Sequence, residues 1–105
     1  MKPFDIFISY ISWGHGGKRR PVLVYALDSK LARIYPITTQ YDNKSAAIKA
    51  KFFRINDWRQ SGLDAQSYID TGTRLKQALS LFDGIKPIGR LTKSDVKRLL
   101  QFLKS

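Results

Sequence analysis

Short runs of apolar residues, broken by polar turn sequences, occupy most of the first 40 positions and predict short β-strands. The segment 5–11 (DIFISYI) is rich in β-forming residues, and the Ser-, Gly- and His-containing stretch that follows (SWGHGGKRR) predicts a flexible basic loop. Two further apolar segments lie at 21–27 (PVLVYAL) and 31–37 (LARIYPI). Because the turn sequence DSK separates them, they predict a β-hairpin.

The middle of the chain carries weaker patterns. The segment 48–55 (IKAKFFRI) approximates period two and predicts a half-buried strand with a basic outer face, while NDWRQSG after it allows one short helical turn. The segment SYID predicts a further short strand, which TG closes. Residues 75–81 (LKQALSL) fit a helix or a strand by periodicity, and the surrounding short strands favour a strand.

The last segment predicts an amphipathic helix. Thr92 and Asp95 have the spacing of a capping box, and Val96, Leu99 and Leu103 follow with helical periodicity. At least five short strands and one terminal helix predict an α+β fold, a small and partly open antiparallel β-barrel with the helix packed on it. With 105 residues and no internal repeat, we expect a single domain spanning 1–105.

The net charge of the chain indicates which class of partner it binds. Nineteen Lys and Arg residues oppose eight acids, all of them Asp, and the formal net charge is +11. A folded domain with such a field attracts polyanions, of which nucleic acid is favoured over acidic protein segments and anionic lipid. No cysteine and one histidine disfavour disulfides, thiolate nucleophiles and zinc sites, so we expect neither metal nor cofactor. The longest apolar stretch, 22–27, is too short to span a bilayer and the first residues do not resemble a signal peptide, which predicts a cytoplasmic protein without membrane attachment.

The densest group of chemically useful residues is WGHGGKRRP at 13–21. Glycines let backbone N–H groups approach an anion, and Arg20 at the start of a strand can present its planar donor fork to a phosphate. His15 is the one residue of the type that readily exchanges a proton near neutral pH. The alternative is a solvated glycine loop with an incidental histidine.

Two other sites offer polar groups at strand ends. Thr38, Thr39 and Gln40 can hold a phosphate or a base edge, or simply satisfy the turn backbone; Asp70 is an acid/base candidate or a turn acceptor. No Walker loop, paired-carboxylate signature or Gly-x-Ser-x-Gly elbow occurs. Metal-independent RNA cleavage uses the neighbouring 2'-OH as nucleophile and needs a base, an acid and a cation, and His15, Asp70 and Arg20 are of the required types.

Four segments carry a resemblance that covers nearly the whole chain: GGKRRPVLV, YPITTQ, SYIDTGT and IGRLTKSDVKRLLQFL. In their order and spacing they resemble the MazF/PemK/Kid family of toxin endoribonucleases. The resemblance implies an SH3-like barrel of the CcdB/MazF type, a homodimer and sequence-specific cleavage of single-stranded mRNA. It further implies a 2',3'-cyclic phosphate product, inhibited translation, an acidic cognate antitoxin, and operator DNA contacts made only through the antitoxin complex.

By the same resemblance, Arg20 in RRP matches the catalytic arginine and Thr39 in TTQ the threonine that lines the site. His15 falls where some members carry a loop histidine, and Asp70 matches an aspartate at a strand end. Tyr68 stands where some members have a second arginine. Bases could stack on Trp13, Phe53 or Tyr41 if these are not core residues. The expected RNA-contacting residues are Lys18, Arg19, Trp13, Thr38, Gln40, Lys49, Lys51 and Tyr68.

Two other functions remain open at this point. The same barrel could bind nucleic acid through its basic segment without cutting it. It could also poison a protein target such as DNA gyrase, as the related CcdB family does, although the RRP and TTQ segments disfavour that function.

Overall fold

Seven β-strands form one antiparallel sheet in the computed structural model, which describes all 105 residues. The strands are β1 (Asp5–Trp13), β2 (Gly16–Leu27), β3 (Leu31–Thr38), β4 (Phe52–Arg54), β5 (Tyr68–Asp70), β6 (Leu75–Ala78) and β7 (Gly89–Arg90). Their order is β4-β5-β3-β2-β1-β7, and β6 pairs with the start of β3. Two α-helices, α1 (Ala46–Lys49) and α2 (Lys93–Lys104), and a 3-10 turn (Leu79–Phe82) complete the fold. Neither α-helix has the length and apolar character needed to cross a bilayer.

The sheet curls into an open half-barrel. Gln77 of β6 accepts a hydrogen bond from the Ser9 hydroxyl at 2.7 Å and donates one to the Tyr10 carbonyl at 3.0 Å, although β2 and β3 lie between β6 and β1 in the sheet. These side-chain bonds draw the two strands together. The α+β class and the barrel-like antiparallel sheet with a C-terminal helix are therefore confirmed.

Both faces of the sheet are covered by apolar side chains. Val22, Leu23 and Val24 are consecutive in β2 and all fully buried, because neighbouring residues point to opposite faces. Leu23 belongs to a core with Ile37 and the α2 residue Leu99. Val22 and Val24 belong to a second core, which Phe82 of the 3-10 turn closes. This explains why β2 has a continuous apolar run rather than an alternating one.

The β2–β3 hairpin is confirmed, together with its turn. Asp28 Oδ1 accepts hydrogen bonds from the backbone N–H groups of Lys30 and Leu31, each at 2.8 Å. These two bonds favour the charged carboxylate and lower the pKa of Asp28. The sequence DSK therefore closes this end of the hairpin through its first side chain.

Helix α2 begins where the sequence predicts, with Thr92 as N-cap. The Asp95 carboxylate, however, binds the turn at 56–57 instead of the Thr92 backbone. Thr92 Oγ1 accepts from the Asp95 N–H at 3.3 Å and donates to Asp57 Oδ2 at 2.8 Å. The fully buried Asp95 carboxylate accepts from the N–H groups of Asn56 and Asp57 and pairs with Arg98 at 2.6 Å. These contacts fix α2 to the turn that follows β4, and we call the four residues that make them the helix anchor: Asp57, Thr92, Asp95 and Arg98. Within that turn, the Ser61 N–H donates to the Asp57 carbonyl at 3.1 Å and so forms a single helical turn.

The predicted flexible loop between the first two strands is wrong. Strands β1 and β2 stay paired to Trp13 and Gly16, so only Gly14 and His15 form the turn. Gly16 and Gly17 lie inside the strand ladder, whereas Gly14 lies in the turn and takes a positive φ, of 42°. At Gly17 the Tyr10 ring occupies the space that a Cβ atom would need, which explains a glycine inside the strand.

Two other strand predictions are only partly correct. Residues 46–49 form α1, whose N-cap Ser45 accepts from the Ile48 N–H at 3.3 Å, and the strand is confined to Phe52–Arg54. The segment 75–81 is a strand only as far as Ala78, and the 3-10 turn follows. That turn carries Phe82 into the second core, where its ring meets Phe7 edge-on at 5.2 Å. Local capping in the first case and tertiary packing in the second outweigh the alternation of residue types.

Candidate nucleic-acid interface

A cleft opens where β3 separates from β2. Strand β3 pairs with β2 as far as Pro36 and with β5 from Ile37 onward, so the first half of β2 runs on without β3 beside it. The space between the two strands, with Ser67 also in its lining, is a cavity of about 240 Å³. We call it the basic cleft, and its lining residues are Lys18, Arg19, Arg20, Pro21, Ile37, Thr38, Thr39, Gln40 and Ser67.

The basic cleft contains cations and hydroxyls but no carboxylate. Of the nineteen cationic side chains, two form ion pairs: Arg90 with Asp5, and Arg98 with Asp95. The three cations of the cleft have no acidic partner. Unpaired guanidinium and ammonium groups beside hydroxyl donors bind phosphate well, and the absence of carboxylates removes the repulsion that would oppose an anion.

Arg20 is the most constrained of these cations. It pairs with Ser9 in the ladder between β1 and β2, which fixes its backbone, and the hydroxyl of Ser9 is bonded to Gln77. The Nε atom of Arg20 is buried and has no hydrogen-bond acceptor in the protein. A buried donor without an acceptor costs on the order of 1–3 kcal/mol. A ligand oxygen that reaches the guanidinium would recover part of that cost.

The opposite wall is shaped by a side-chain turn. Thr38 Oγ1 accepts from the Gln40 N–H at 3.0 Å, which bends the chain directly after β3 and leaves Thr39 and Gln40 exposed at the cleft. The bend also leaves the Thr38 hydroxyl proton free to be donated. The structure therefore brings together six of the predicted site residues: Lys18, Arg19, Arg20, Thr38, Thr39 and Gln40.

His15 does not line the basic cleft. It is exposed at the tip of the β1–β2 hairpin, five positions before Arg20 along an extended strand. At the rise of a β-strand this separation is about 16 Å. Within one copy of the chain, His15 and Arg20 are therefore held apart by the backbone.

Asp70 lies in a different cavity, of about 420 Å³, with Lys51 and Thr73 among its lining residues. Its two carboxylate oxygens accept hydrogen bonds from the Gly72 N–H at 3.0 Å and the Thr73 hydroxyl at 2.7 Å. Of the two roles that the sequence allows for Asp70, the structure shows the turn acceptor.

The remaining predicted residues lie outside the lining of the cleft, at three places. Tyr68 is opposite Thr38 in the sheet and stacks on Tyr41 with ring centroids 4.3 Å apart. The Lys49 ammonium lies 5.0 Å from the centre of the Tyr41 ring. Lys51 lines the cavity of Asp70, and Trp13 is exposed on the hairpin.

Phe53, considered above as a base-stacking residue, is only 3% exposed. Its ring packs edge-on against Phe102 of α2, with centroids 5.5 Å apart. Because the main core encloses this ring, Phe53 is a core residue, the alternative that the sequence left open beside base stacking.

Sequence reasoning did not single out Ser67 or Tyr10. Ser67 is buried at the start of β5, and only the pairing of β5 with β3 identifies it as a lining residue. Tyr10 is exposed on β1 directly opposite Arg19. Alternation along β1 does not reveal this exposure, because Ile6 lies on the same face of the strand as Tyr10 and is fully buried.

Comparison of this chain with protein-family models and with the sequences of curated proteins finds no match. The interpretation of the basic cleft therefore depends on its geometry and on the motifs that line it.

Proposed function

We propose that this chain is a metal-independent endoribonuclease toxin of the MazF/PemK/Kid type, built on an SH3-like barrel of the CcdB/MazF type. It binds single-stranded RNA in the basic cleft and cleaves it at short sequences. One observation carries the proposal: the RRP and TTQ segments, the most specific parts of the resemblance, form the two walls of one cleft without carboxylates. The sheet and the C-terminal helix are compatible with this barrel.

In the proposed reaction, the ribose 2'-oxygen attacks the neighbouring phosphorus and the bond to the 5'-oxygen breaks. The products are a 2',3'-cyclic phosphate and a 5'-OH end, and the proton lost by the 2'-OH is balanced by the proton gained at the 5'-oxygen. Arg20 binds the scissile phosphate and stabilises the charge that grows on its oxygens. Thr39 donates to the same phosphate, while Lys18 and Arg19 hold its neighbours.

Proton transfer is the part that the cleft itself does not supply. Its lining contains no imidazole and no carboxylate. Within the proposal, the cleft contributes binding and electrostatic stabilisation. Because about 16 Å of strand separates His15 from Arg20 in one copy, His15 can exchange a proton at the cleft only from the second copy of the proposed homodimer.

The partners follow from the same cleft. An acidic segment of a cognate antitoxin would compete with RNA, because its carboxylates would meet the unpaired cations that otherwise bind phosphates. A homodimer and operator contacts made through the antitoxin complex belong to the same proposal.

A second function has a specific observation in its favour. Since neither His15 nor Asp70 lines the cleft, the second candidate is a non-catalytic nucleic-acid-binding barrel of the same fold. This alternative retains the phosphate-binding roles of Lys18, Arg19 and Arg20 and removes the bond-breaking step.

The test is incubation of the purified protein with a long unstructured RNA in excess EDTA, followed by mapping of the cuts and analysis of the new ends. We expect discrete cuts with 2',3'-cyclic phosphate ends. The same RNA with a 2'-deoxy nucleotide at a mapped site should resist cleavage there and still bind. Binding without cutting would establish the second function, and absence of both would refute the two together.

A further inference from the structure

The β1–β2 hairpin exposes two large aromatic side chains close to the basic cleft. Tyr10 is 56% exposed and Trp13 is 53% exposed. Tyr10 is directly opposite Arg19 in the ladder, whereas Trp13 is opposite Gly16. Because positions 10 and 13 differ by an odd number, the two rings project from opposite faces of the hairpin. Tyr10 shares its face with Arg19, and Trp13 shares the opposite face with Lys18 and Arg20, but only Tyr10 stands directly opposite a residue that lines the cleft.

The Tyr10 ring rests on the backbone of β2 at a glycine. A Cβ atom at Gly17 would lie 2.6 Å from Tyr10 Cζ and 2.8 Å from the Ile11 carbonyl oxygen, so a side chain there displaces the outer end of the ring. At Gly16 a Cβ atom would lie 3.8 Å from Trp13 Nε1, an ordinary contact distance. The absence of a side chain at position 17 therefore lets the Tyr10 ring lie against the strand, with more than half of its surface open to solvent.

We propose that Tyr10 is a stacking platform for one base of the bound RNA, and that Arg19 binds a phosphate of the same or the adjacent nucleotide. The proposal rests on the proposed function, namely that the basic cleft binds single-stranded RNA. Side chains directly opposite each other in an antiparallel pair have Cβ atoms about 4.5–5.5 Å apart, which suits a base on the ring and its phosphate at the guanidinium. An exposed aromatic ring beside cations is the arrangement with which proteins hold single strands.

The platform has to be distinguished from general attraction between a basic protein and a polyanion. The electrostatic contribution depends on phosphates alone, whereas stacking needs the base. An abasic strand with the same number of phosphates keeps the first contribution and removes the second. The decisive probe is therefore a pair of short oligonucleotides, one of 2'-O-methyl uridines, which resists cleavage through its blocked 2'-oxygen, and one abasic.

Tyr10→Leu keeps an apolar side chain and removes the aromatic ring. We expect it to weaken binding of the uridine oligonucleotide by about 5- to 150-fold, the range measured for loss of one stacked base. Binding of the abasic strand should stay the same. Tyr10→Phe, which keeps the ring without the hydroxyl, should bind both strands as the wild type does.

Two glycine variants test the position of the ring without changing it chemically. Gly17→Ala displaces the end of the Tyr10 ring and should weaken binding of the uridine strand, while Gly16→Ala should leave it unchanged. Circular dichroism of each variant establishes that the sheet is retained. Wild-type affinity of Tyr10→Leu for the uridine strand, or an equal loss on both strands, would overturn the platform and leave the proposed function standing. Failure of the wild type to bind either strand would overturn both.

Discussion

The basic cleft and the helix anchor contain the same kinds of residue and use them in opposite ways. In the anchor, Arg98 pairs with Asp95 at 2.6 Å, donates to the Arg54 carbonyl at 3.3 Å and lies over the Phe53 ring. In the cleft, Arg20 has a buried Nε atom without any acceptor. A carboxylate is what separates the two regions. Where an aspartate is present the arginine stabilises the fold, and where none is present the arginine has no partner in the protein.

The distribution of the acids extends this contrast to the whole chain. Five of the eight aspartates accept hydrogen bonds that hold local structure together: Asp5, Asp28, Asp57, Asp70 and Asp95. None of the eight lines the basic cleft. The few acids are thus placed at turns, strand ends and the helix start, and the positive field over the cleft is left uncompensated.

Arg20→Ala should give the largest effect on function. Removal of a preorganised donor that stabilises transition-state charge typically lowers a rate constant by about 100- to 1000-fold. We expect single-turnover RNA cleavage to fall by this factor and RNA affinity to change by only a few-fold. The free energy of unfolding should stay the same or rise, because the variant removes a buried donor that has no acceptor.

Arg98→Ala is the matched control for that variant, since it removes an arginine of the helix anchor. It should lower the free energy of unfolding and leave cleavage by the folded protein unchanged. If RNA binding by Arg20→Ala fell in parallel with cleavage, Arg20 would be a phosphate anchor. The difference between the arginines of the cleft and of the helix anchor would then concern RNA binding and not catalysis.

Asp95→Ala should give the largest effect on stability. It removes the acceptor of two backbone N–H groups and the partner of Arg98 from a fully buried position. Unsatisfied buried donors and a broken buried ion pair together predict a loss of about 3 kcal/mol in urea unfolding. Asp64→Ala, which removes an exposed acid, should change the free energy of unfolding by less than about 0.5 kcal/mol. Equal effects of the two variants would show that the anchor does not stabilise the helix start.

The sequence predicts best those parts of the molecule whose structure depends on neighbouring residues. The β2–β3 hairpin and the start of α2 depend on one local side chain each, Asp28 and Thr92, so both are visible from neighbouring residues. The two walls of the cleft are predicted for a similar reason. The segments KRRP and TTQ flank the paired parts of β2 and β3, so pairing of the hairpin brings them near each other.

What the sequence does not predict depends on contacts between distant residues. Gly16 and Gly17 indicate a loop until Trp13 and Tyr10 are seen against them in the ladder. Asp95 has the spacing of a reciprocal cap, but its carboxylate binds the turn at 56–57 from almost forty residues away. The separation of His15 from Arg20 follows from the pairing of β1 and β2 as far as Trp13 and Gly16. A flexible loop could fold back onto the cleft, whereas a paired strand cannot.

Lys18→Ala should have a smaller effect, on the electrostatic part of RNA binding. Each phosphate neutralised on a single strand contributes about 0.7 to the slope of log affinity against log salt, so the slope should fall by about this amount and affinity at low salt by several-fold. Lys93→Ala, an exposed lysine at the first position of α2, serves as the control and should leave the slope unchanged. Identical slopes for the two variants would mean that net charge, rather than the cleft, determines binding.

Removal of the Asp28 carboxylate should have the smallest effect on the free energy of unfolding. It tests whether an exposed acid can stabilise the fold. Its carboxylate is exposed, and the N–H groups of Lys30 and Leu31 hold its pKa below the ordinary value of 3.8. Since the folded state lowers this pKa, the stabilisation is complete above the pKa of the unfolded chain and is lost as the pH falls through the lowered value. Carbon-13 titration of the carboxyl should show the lowered pKa. Asp28→Asn keeps an acceptor oxygen for the turn and removes the titration, so its unfolding free energy should depend less on pH in this acidic range than that of wild type. A titration at or above 3.8 would confine the structural use of acids in this chain to shielded sites such as Asp95.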